Sequence, residues 1–252
     1  MGEPARKLDI IDTRPAFTQA DADALNRRFA GVDTLSMLRA LFAEGILGHT
    51  AVVSSFGTES AVLLHLVSRA NPATLVVFVD TLRMFPETLT YRDTLIETFG
   101  LSDSRTVKPD PVVLAAKDGQ ELRWSYDPDG CCEIRKVEPL RRAKAGLDSW
   151  ISGRKAFQSQ TRQNIARFEI EDGRLKVNPL GDWVKADLEA YFAEYDLPRH
   201  PLEADGYASI GCQPCTSKVL PGEDPRAGRW RGWDKTECGI HVPEKPGEEP
   251  VF

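Results

Sequence analysis

Residues 50–80, TAVVSSFGTESAVLLHLVSRANPATLVVFVD, decide the fold. They open with a short β-branched run and break at the small residues Ser54, Ser55 and Gly57. A helix-length segment, ESAVLLHLVSRA, follows, and then a second apolar run, TLVVFVD. Neither apolar run alternates with polar residues, so both read as strands covered on two faces, as in parallel sheets. Strand, small-residue turn, helix and strand make one βαβ unit. Outward from it, a helix over 86–99 and a third strand at RTVKPD, 105–110, repeat the unit. LDSWISG, 147–153, reads as a fourth strand, and 167–180 as a hairpin turning at Asp172-Gly173. Segments 34–47, 136–146 (interrupted by Pro139) and 183–197 read as helices, the first stopped by Gly48. Another, around Asp21–Ala30, is started by Thr18. The expected class is α/β, a doubly wound and mostly parallel sheet with helices on both faces. After Pro198 little periodicity remains.

With 252 residues, 41% of them hydrophobic and 28% charged, the chain holds enough material for one large core. A formal net charge of −6 argues against a nucleic-acid binder working by bulk electrostatics. No apolar run approaches the length that spans a bilayer. Residues 1–17 carry acidic residues and prolines around no apolar core, so no membrane and a cytoplasmic location are expected. Met1-Gly2 resembles a myristoylation start, but Arg6 stands where that signal requires Ser or Thr.

The turn Ser54-Ser55-Phe56-Gly57-Thr58-Glu59-Ser60 lies at the carboxyl end of the first strand and opens a helix. Backbone N–H groups and hydroxyls there are placed to hold an anion, although an ordinary tight turn has the same composition. Val79, Asp80 and Thr81 end the second strand, where ligands of such sheets bind. Pro86 and Glu87 just beyond them also make a good helix start.

Five cysteines fall into two pairs and a single residue: Cys131-Cys132, Cys212-x-x-Cys215, and Cys238. Four thiolates suit zinc or a [4Fe–4S] cluster. Adjacent cysteines on a helix point about 100° apart, which favours the separate iron corners of a cluster over one small ion. Lys136, four residues beyond Cys132, shares its helical face. Basic residues gather beside glycines at Gly153-Arg154-Lys155, at Arg162, and at Arg226 and Arg229, a composition that fits guanidinium recognition of phosphate or sulfate. Cys238 stands in ECGIH, 237–241, within a polar segment. Glu237 raises a neighbouring thiol's pKa, whereas Lys235, His241 or an arginine cluster lowers it, so reactivity there depends on docking.

Taken together, Ser55-Phe56-Gly57, Asp80-Thr81 with Phe85-Pro86-Glu87-Thr88, the cysteine pairs, Trp150-Ile151-Ser152-Gly153 and ECGIH resemble an assimilatory sulfonucleotide reductase of the iron–sulfur branch. The turn at 54–60 also resembles the pyrophosphate loop of the ATP-pyrophosphatase (PP-loop, adenine nucleotide alpha-hydrolase-like) superfamily, with Phe56 in place of a glycine and Glu59 in place of an aspartate. The resemblance departs from the common pattern at Leu82, where glycine is usual, and at Lys155, where arginine is usual. It implies one [4Fe–4S] cluster on Cys131, Cys132, Cys212 and Cys215, and reduction of adenosine 5′-phosphosulfate (APS) to sulfite and AMP by a nucleophilic Cys238, with thioredoxin as reductant. It implies substrate contacts at Ser54, Ser55, Phe56, Gly57, Ser60, Val79, Asp80, Thr81, Lys136, Gly153, Arg162, Arg226, Arg229 and His241. The expected organisation is an N-terminal helical segment (1–48), a sulfonucleotide-binding α/β domain (49–220) and a flexible C-terminal tail (221–252). Homo-oligomerisation stays open. Open alternatives are reduction of 3′-phosphoadenosine 5′-phosphosulfate (PAPS), an ATP-dependent tRNA-thiolating enzyme, and a zinc-stabilised nucleotide-binding module.

Overall fold

The computed structural model describes residues 16–158 and 165–239. Six strands form one sheet: β1 (Thr50–Ser54), β2 (Leu75–Val79), β3 (Ser104–Val107), β4 (Ser149–Ser152), β5 (Phe168–Glu171) and β6 (Arg174–Val177). Their order is β3-β2-β1-β4-β6-β5, parallel throughout except where β5 pairs antiparallel with β6. The chain runs outward from β1 to β3, then returns to lay β4 against the other side of β1. The loops leaving β1 and β4 therefore diverge, and a crevice opens at their carboxyl ends. The hairpin turns at Asp172 and Gly173, both left-handed with φ of 52° and 70°, as a two-residue hairpin loop requires.

Both faces of the sheet are covered. Helices α1 (Gln19–Arg28), α2 (Thr34–Ala43), α3 (Ser60–Ala70), α4 (Pro86–Thr98) and α8 (Lys185–Glu194) contribute to the larger core, with Val52, Val76, Phe78 and Ile151 of the strands. Ala51, Leu75, Val77 and Trp150 point the other way and pack on Leu140 of α7 (Glu138–Lys144), the two-sided burial that unbroken apolar strands forecast. Thr18 caps α1 in a reciprocal capping box with Asp21. Ala22, Leu25 and Phe29 join the larger core, so the first helix packs with the sheet.

The second helix ends before Gly48. Gly45 takes φ 67°, its N–H bonds Phe42 O, and the Ile46 N–H bonds Leu41 O at 3.1 Å. That paired closure is a Schellman stop, and it needs a residue free to be left-handed at the first position past the helix. Two short helices escape the periodicity altogether: α5 (Pro111–Lys117) and α6 (Pro128–Cys132), each opened by an aspartate that accepts backbone N–H bonds.

Beyond α8, His200 is 1% exposed. Its Nδ1 accepts the Leu202 N–H at 3.2 Å, and Nε2 lies 3.0 Å from Thr88 Oγ1 of α4. The ring is therefore neutral in the fold, and burial pushes its pKa down to about 4, against a partial opposing pull from Glu87. Below the ordinary histidine value of about 6.5 the unfolded chain takes up a proton that the folded chain refuses, so stability is lost as pH falls from 6.5 toward 4. We expect about 2 kcal/mol of such loss by pH 5. Denaturant melts at pH 7 and pH 5 should show a shallower pH dependence in His200→Gln than in the parent chain.

Candidate active site

Three loops at the carboxyl edge of the sheet build the site. The first follows β1. Phe56 there has φ 50°, a left-handed conformation that costs a bulky residue roughly 1–2 kcal/mol. Its ring is fully buried and meets Phe78 edge-on at 5.4 Å. Truncating a buried phenylalanine to alanine costs about 3–5 kcal/mol, so packing outweighs the strain and fixes the turn. The Phe56 N–H donates to Ser54 Oγ at 3.2 Å. In the second loop, Leu82 after β2 is also left-handed, with φ 61°. Its N–H donates to Asp80 Oδ1 at 2.9 Å. The third loop, after β4, carries Gly153 and Lys155. The Lys155 ammonium is 3% exposed and donates to Glu59 Oε2 at 2.9 Å and to Gly153 O at 3.1 Å.

The cysteine site rests on one irregular helix. Pro139 has no N–H to offer Arg135 O, and its ring collides with that carbonyl in a regular α-turn. The chain responds with a π-turn over Glu133–Val137, closed by the Glu138 N–H on Glu133 O. The widened turn joins α6 to α7 and leaves Cys131, Cys132, Arg135 and Lys136 all lining one small cavity. Cys212 and Cys215 line it from the opposite side. Their segment hooks onto the loop after β2: the Gln213 N–H reaches Arg83 O at 2.7 Å, and Thr81 Oγ1 lies 3.2 Å from Cys212 Sγ. Burial pushes the Cys131, Cys132 and Cys215 thiols up to about 11, and Cys212 adds to this at Cys131 and Cys215. Among the described residues no three His, Cys, Asp or Glu donors converge as single-ion ligands.

Arg135 locks this helix in place. Its guanidinium is 3% exposed. Nε and Nη2 donate to Asp118 Oδ2 at 3.0 and 2.6 Å, and Nη1 donates to Thr81 O at 3.0 Å.

A cleft of about 470 Å³ opens beside the cysteines, a size that suits one nucleotide. Ser54, Ser55, Gly57, Ser60, Val79 and Gly153 line it from the sheet edge. Lys136, Arg226, Arg229 and Cys238 line it from the cysteine side. Lys136 and Arg229 border both spaces. Burial opposes the Lys136 charge, but the Cys212, Cys238 and Cys132 sulfurs more than reverse that and hold its pKa above the lysine range. Arg229 Nε is buried with no hydrogen-bond partner. Its guanidinium stacks 4.4 Å from the Trp230 ring centroid, and a Cβ on Gly211 would collide with it.

Residues 221–239 dock here through several contacts. The Trp230 N–H bonds Cys215 O at 3.0 Å. Arg226 Nη2 donates to Thr236 O at 2.7 Å and Glu237 Oε2 at 3.2 Å, and Lys235 pairs with Asp129. Cys238, the residue after Glu237, is thus held at the cleft wall.

Some expected contacts fall elsewhere. Phe56 and Asp80 are not among the described residues that line the cleft. The Phe56 ring serves the core and the Asp80 carboxylate its own turn. Thr81 lines the cysteine cavity instead. Arg162 and His241 lie outside the described residues. Periodicity gave no sign of Glu189, Arg199, Glu203 or the 208–211 stretch, all in the cleft wall. Arg199 and Glu203 sit in an aperiodic loop, where only their pairing in space marks them.

The fold and cleft define an α/β protein with a cleft lined by cations at the switch point of its sheet. Residues 49–218 match the phosphoadenosine phosphosulfate reductase domain. The chain belongs to that family. It is 42% identical over 237 residues to an adenosine 5′-phosphosulfate reductase of Mesorhizobium japonicum, covering 94% of this chain and 93% of that one. It is 50% identical over 197 residues to the Chelativorans enzyme of the same name, covering 78% and 80%. The crystal structure of phosphoadenylyl-sulfate (PAPS) reductase from Candida auris, in a phosphate complex, superposes with a TM-score of 0.68 at 27% identity, over 81% of this chain and 98% of that one.

Asp118→Ala leaves the Arg135 guanidinium buried without its carboxylate, a change that costs about 3–5 kcal/mol. Chemical denaturation should show that loss. A variant as stable as the parent would remove Arg135 from its role as the lock of the cysteine helix.

Proposed function

We propose that this chain reduces APS to sulfite and AMP in sulfate assimilation, with Cys238 as nucleophile and a dithiol protein, thioredoxin, as electron donor. The carrying observation is Cys238 at the wall of a nucleotide-sized cleft, beside Lys136, Arg226 and Arg229. The relatives' names point to APS, and the family to sulfonucleotide reduction.

Cys238 attacks as the thiolate. An S–S bond forms to the sulfonate sulfur, the S–O bond to phosphate breaks, and the electron pair leaves with AMP. Attack on a sulfonate that is already anionic gathers negative charge. Lys136 and the buried, unpartnered Nε of Arg229 are set where preorganised cations offset it. The product is S-sulfocysteine on Cys238. A thiolate of the dithiol partner then attacks Cys238 Sγ and expels sulfite, and the partner's second thiol breaks the mixed disulfide. The two electrons come from that dithiol. Residues after 220 would act as the carrier arm between the two partners, as the expected tail requires.

Cys131, Cys132, Cys212 and Cys215 fit one [4Fe–4S] cluster. Four thiols face one cavity, and burial pushes those of Cys131, Cys132 and Cys215 up to about 11. A cationic centre held there would favour their thiolates. When bound, the cluster supplies a fixed charge centre that staples the two cysteine segments. Arg135, Lys136 and Arg229 line the cavity wall to balance the thiolates.

PAPS is the second reading, favoured by the family's description and by the name of the Candida auris structure. Sulfite yields from the two nucleotides at equal concentration discriminate them.

Incubated with APS and no reductant, the protein should gain the mass of one SO₃ group at Cys238. Cys238→Ser should keep its visible iron–sulfur absorbance and bind AMP, while sulfite production falls by roughly 10⁴-fold or more. Sulfite turnover persisting in that variant would sink the mechanism. Cys131→Ser or Cys215→Ser should lose the absorbance and the activity together.

A further inference from the structure

The charged side chains of the cleft divide into two groups by the contacts they make. Beside Cys238 stand Lys136, Arg226 and Arg229, with Glu237 as the carboxylate on Arg226. Lys136 has sulfurs for neighbours, and the Nε of Arg229 has no partner. This side carries an excess of positive charge.

The second group is different. Arg199 donates to Glu189 at 2.5 Å and to Glu203 at 3.1 Å, so two carboxylates share one guanidinium. Glu203 Oε2 is buried with no hydrogen-bond partner. Burial raises the Glu203 pKa, Arg199 opposes that, and Glu189 and Glu59 add to it, which places the Glu59 charge in the same neighbourhood. Glu59 Oε2 is held by Lys155 and by Gln158 Nε2 at 2.8 Å. Arg154, at the same wall, is matched by Glu169. Each of these three cations already has its carboxylate, and Lys185 adds an ammonium near Glu189, so four cations face four carboxylates and a second phosphate would find no net positive charge.

The orientation of a ligand follows from the chemistry, given the sulfonucleotide reading on which this inference rests. The reacting sulfur ends the 5′ arm of the nucleotide and must meet Cys238. The nucleoside then lies in the remainder of the cleft, part of which the second group lines.

We propose that Glu59 and Glu203 are specificity residues that make the cleft a one-anion site. It accepts a nucleotide whose negative charge is confined to the 5′ arm and rejects one that carries a further phosphate on its ribose. Glu203 acts through its buried Oε2, which has no hydrogen-bond partner and is poorly placed to accept a neighbouring anion. Glu59 acts as a carboxylate pinned by Lys155 between the β1 and β4 loops. Neither touches the reacting atoms.

Titration calorimetry with two stable probes, AMP and adenosine 3′,5′-bisphosphate, tests this on the full chain. The parent should bind AMP about tenfold or more tightly, the order that one unfavourable charge pair gives at an effective dielectric of about 20. Glu203→Gln and Glu59→Gln, made separately so that one misfolded variant does not end the test, should each narrow that ratio by about threefold or more, through tighter binding of the bisphosphate. A parent with no preference, or a ratio unchanged in both variants because the affinities fall together or stay put, overturns the proposal. The sulfite assay keeps the two readings apart. A shifted ratio without sulfite from APS sinks the reaction and leaves the charge filter standing, and sulfite with an unshifted ratio does the reverse.

Discussion

A single buried guanidinium holds the active-site architecture together. Arg135 joins the carboxyl end of β2, through Thr81 O, to Asp118 at the end of α5, and does so from the helix that carries Cys131 and Cys132. A charge 3% exposed is tolerable only because its donors are met at 2.6–3.0 Å. The register of the cysteine helix against the sheet is therefore not free to drift. The hydroxyl of the same Thr81 lies 3.2 Å from Cys212 Sγ, so both cysteine pairs are referred to one residue of the sheet edge.

Pro139 supplies the second constraint. Without the π-turn it enforces, the helix would place fewer of its four inward residues on one wall. With it, Arg135 turns to the lock and Lys136 reaches both the cysteine cavity and the cleft. Lys136 is consequently where the two halves of the site meet electrostatically. The groups that raise its pKa are sulfurs and not carboxylates. Anything that changes the charge on those sulfurs changes the cation presented to the nucleotide side.

The parallel core was legible because its strands are unbroken apolar runs and its turns carry small residues, as at Val52–Gly57. The cysteine grouping was legible for another reason: thiols in pairs are rare enough that their spacing alone carries meaning. Other features left weaker traces. The α2 stop was misplaced because Gly45 and Gly48 are both left-handed, with φ of 67° and 57°, and composition does not say which closes the helix. Phe56 stood where a glycine is usual in the related loop, and its backbone is indeed left-handed. The sequence could not reveal that its ring would be spent on Phe78 in the core. Arg199 and Glu203 were invisible because their role exists only in space. They sit in an aperiodic loop fixed by buried His200, and nothing local marks them.

The docking of residues 221–239 shows how an arm can be held and still be released. Its anchors differ in kind. The Trp230 N–H on Cys215 O and the Thr216–Arg229 bridge belong to the backbone beside the cysteines. The anchors nearer Cys238 are ion pairs, Lys235 with Asp129 and Arg226 with Glu237. Partly solvated ion pairs are worth about 1 kcal/mol or less each, and an incoming anion competes for Arg226 directly. The hold is thus firmest around Trp230 and weakest around the thiol. That gradient is what a carrier arm requires. In the reaction proposed above, the root would stay against the cysteine segment while substrate competes with Glu237 for Arg226, with Cys238 at the cleft wall for the attack and its tip free to leave only once it carries the sulfonate.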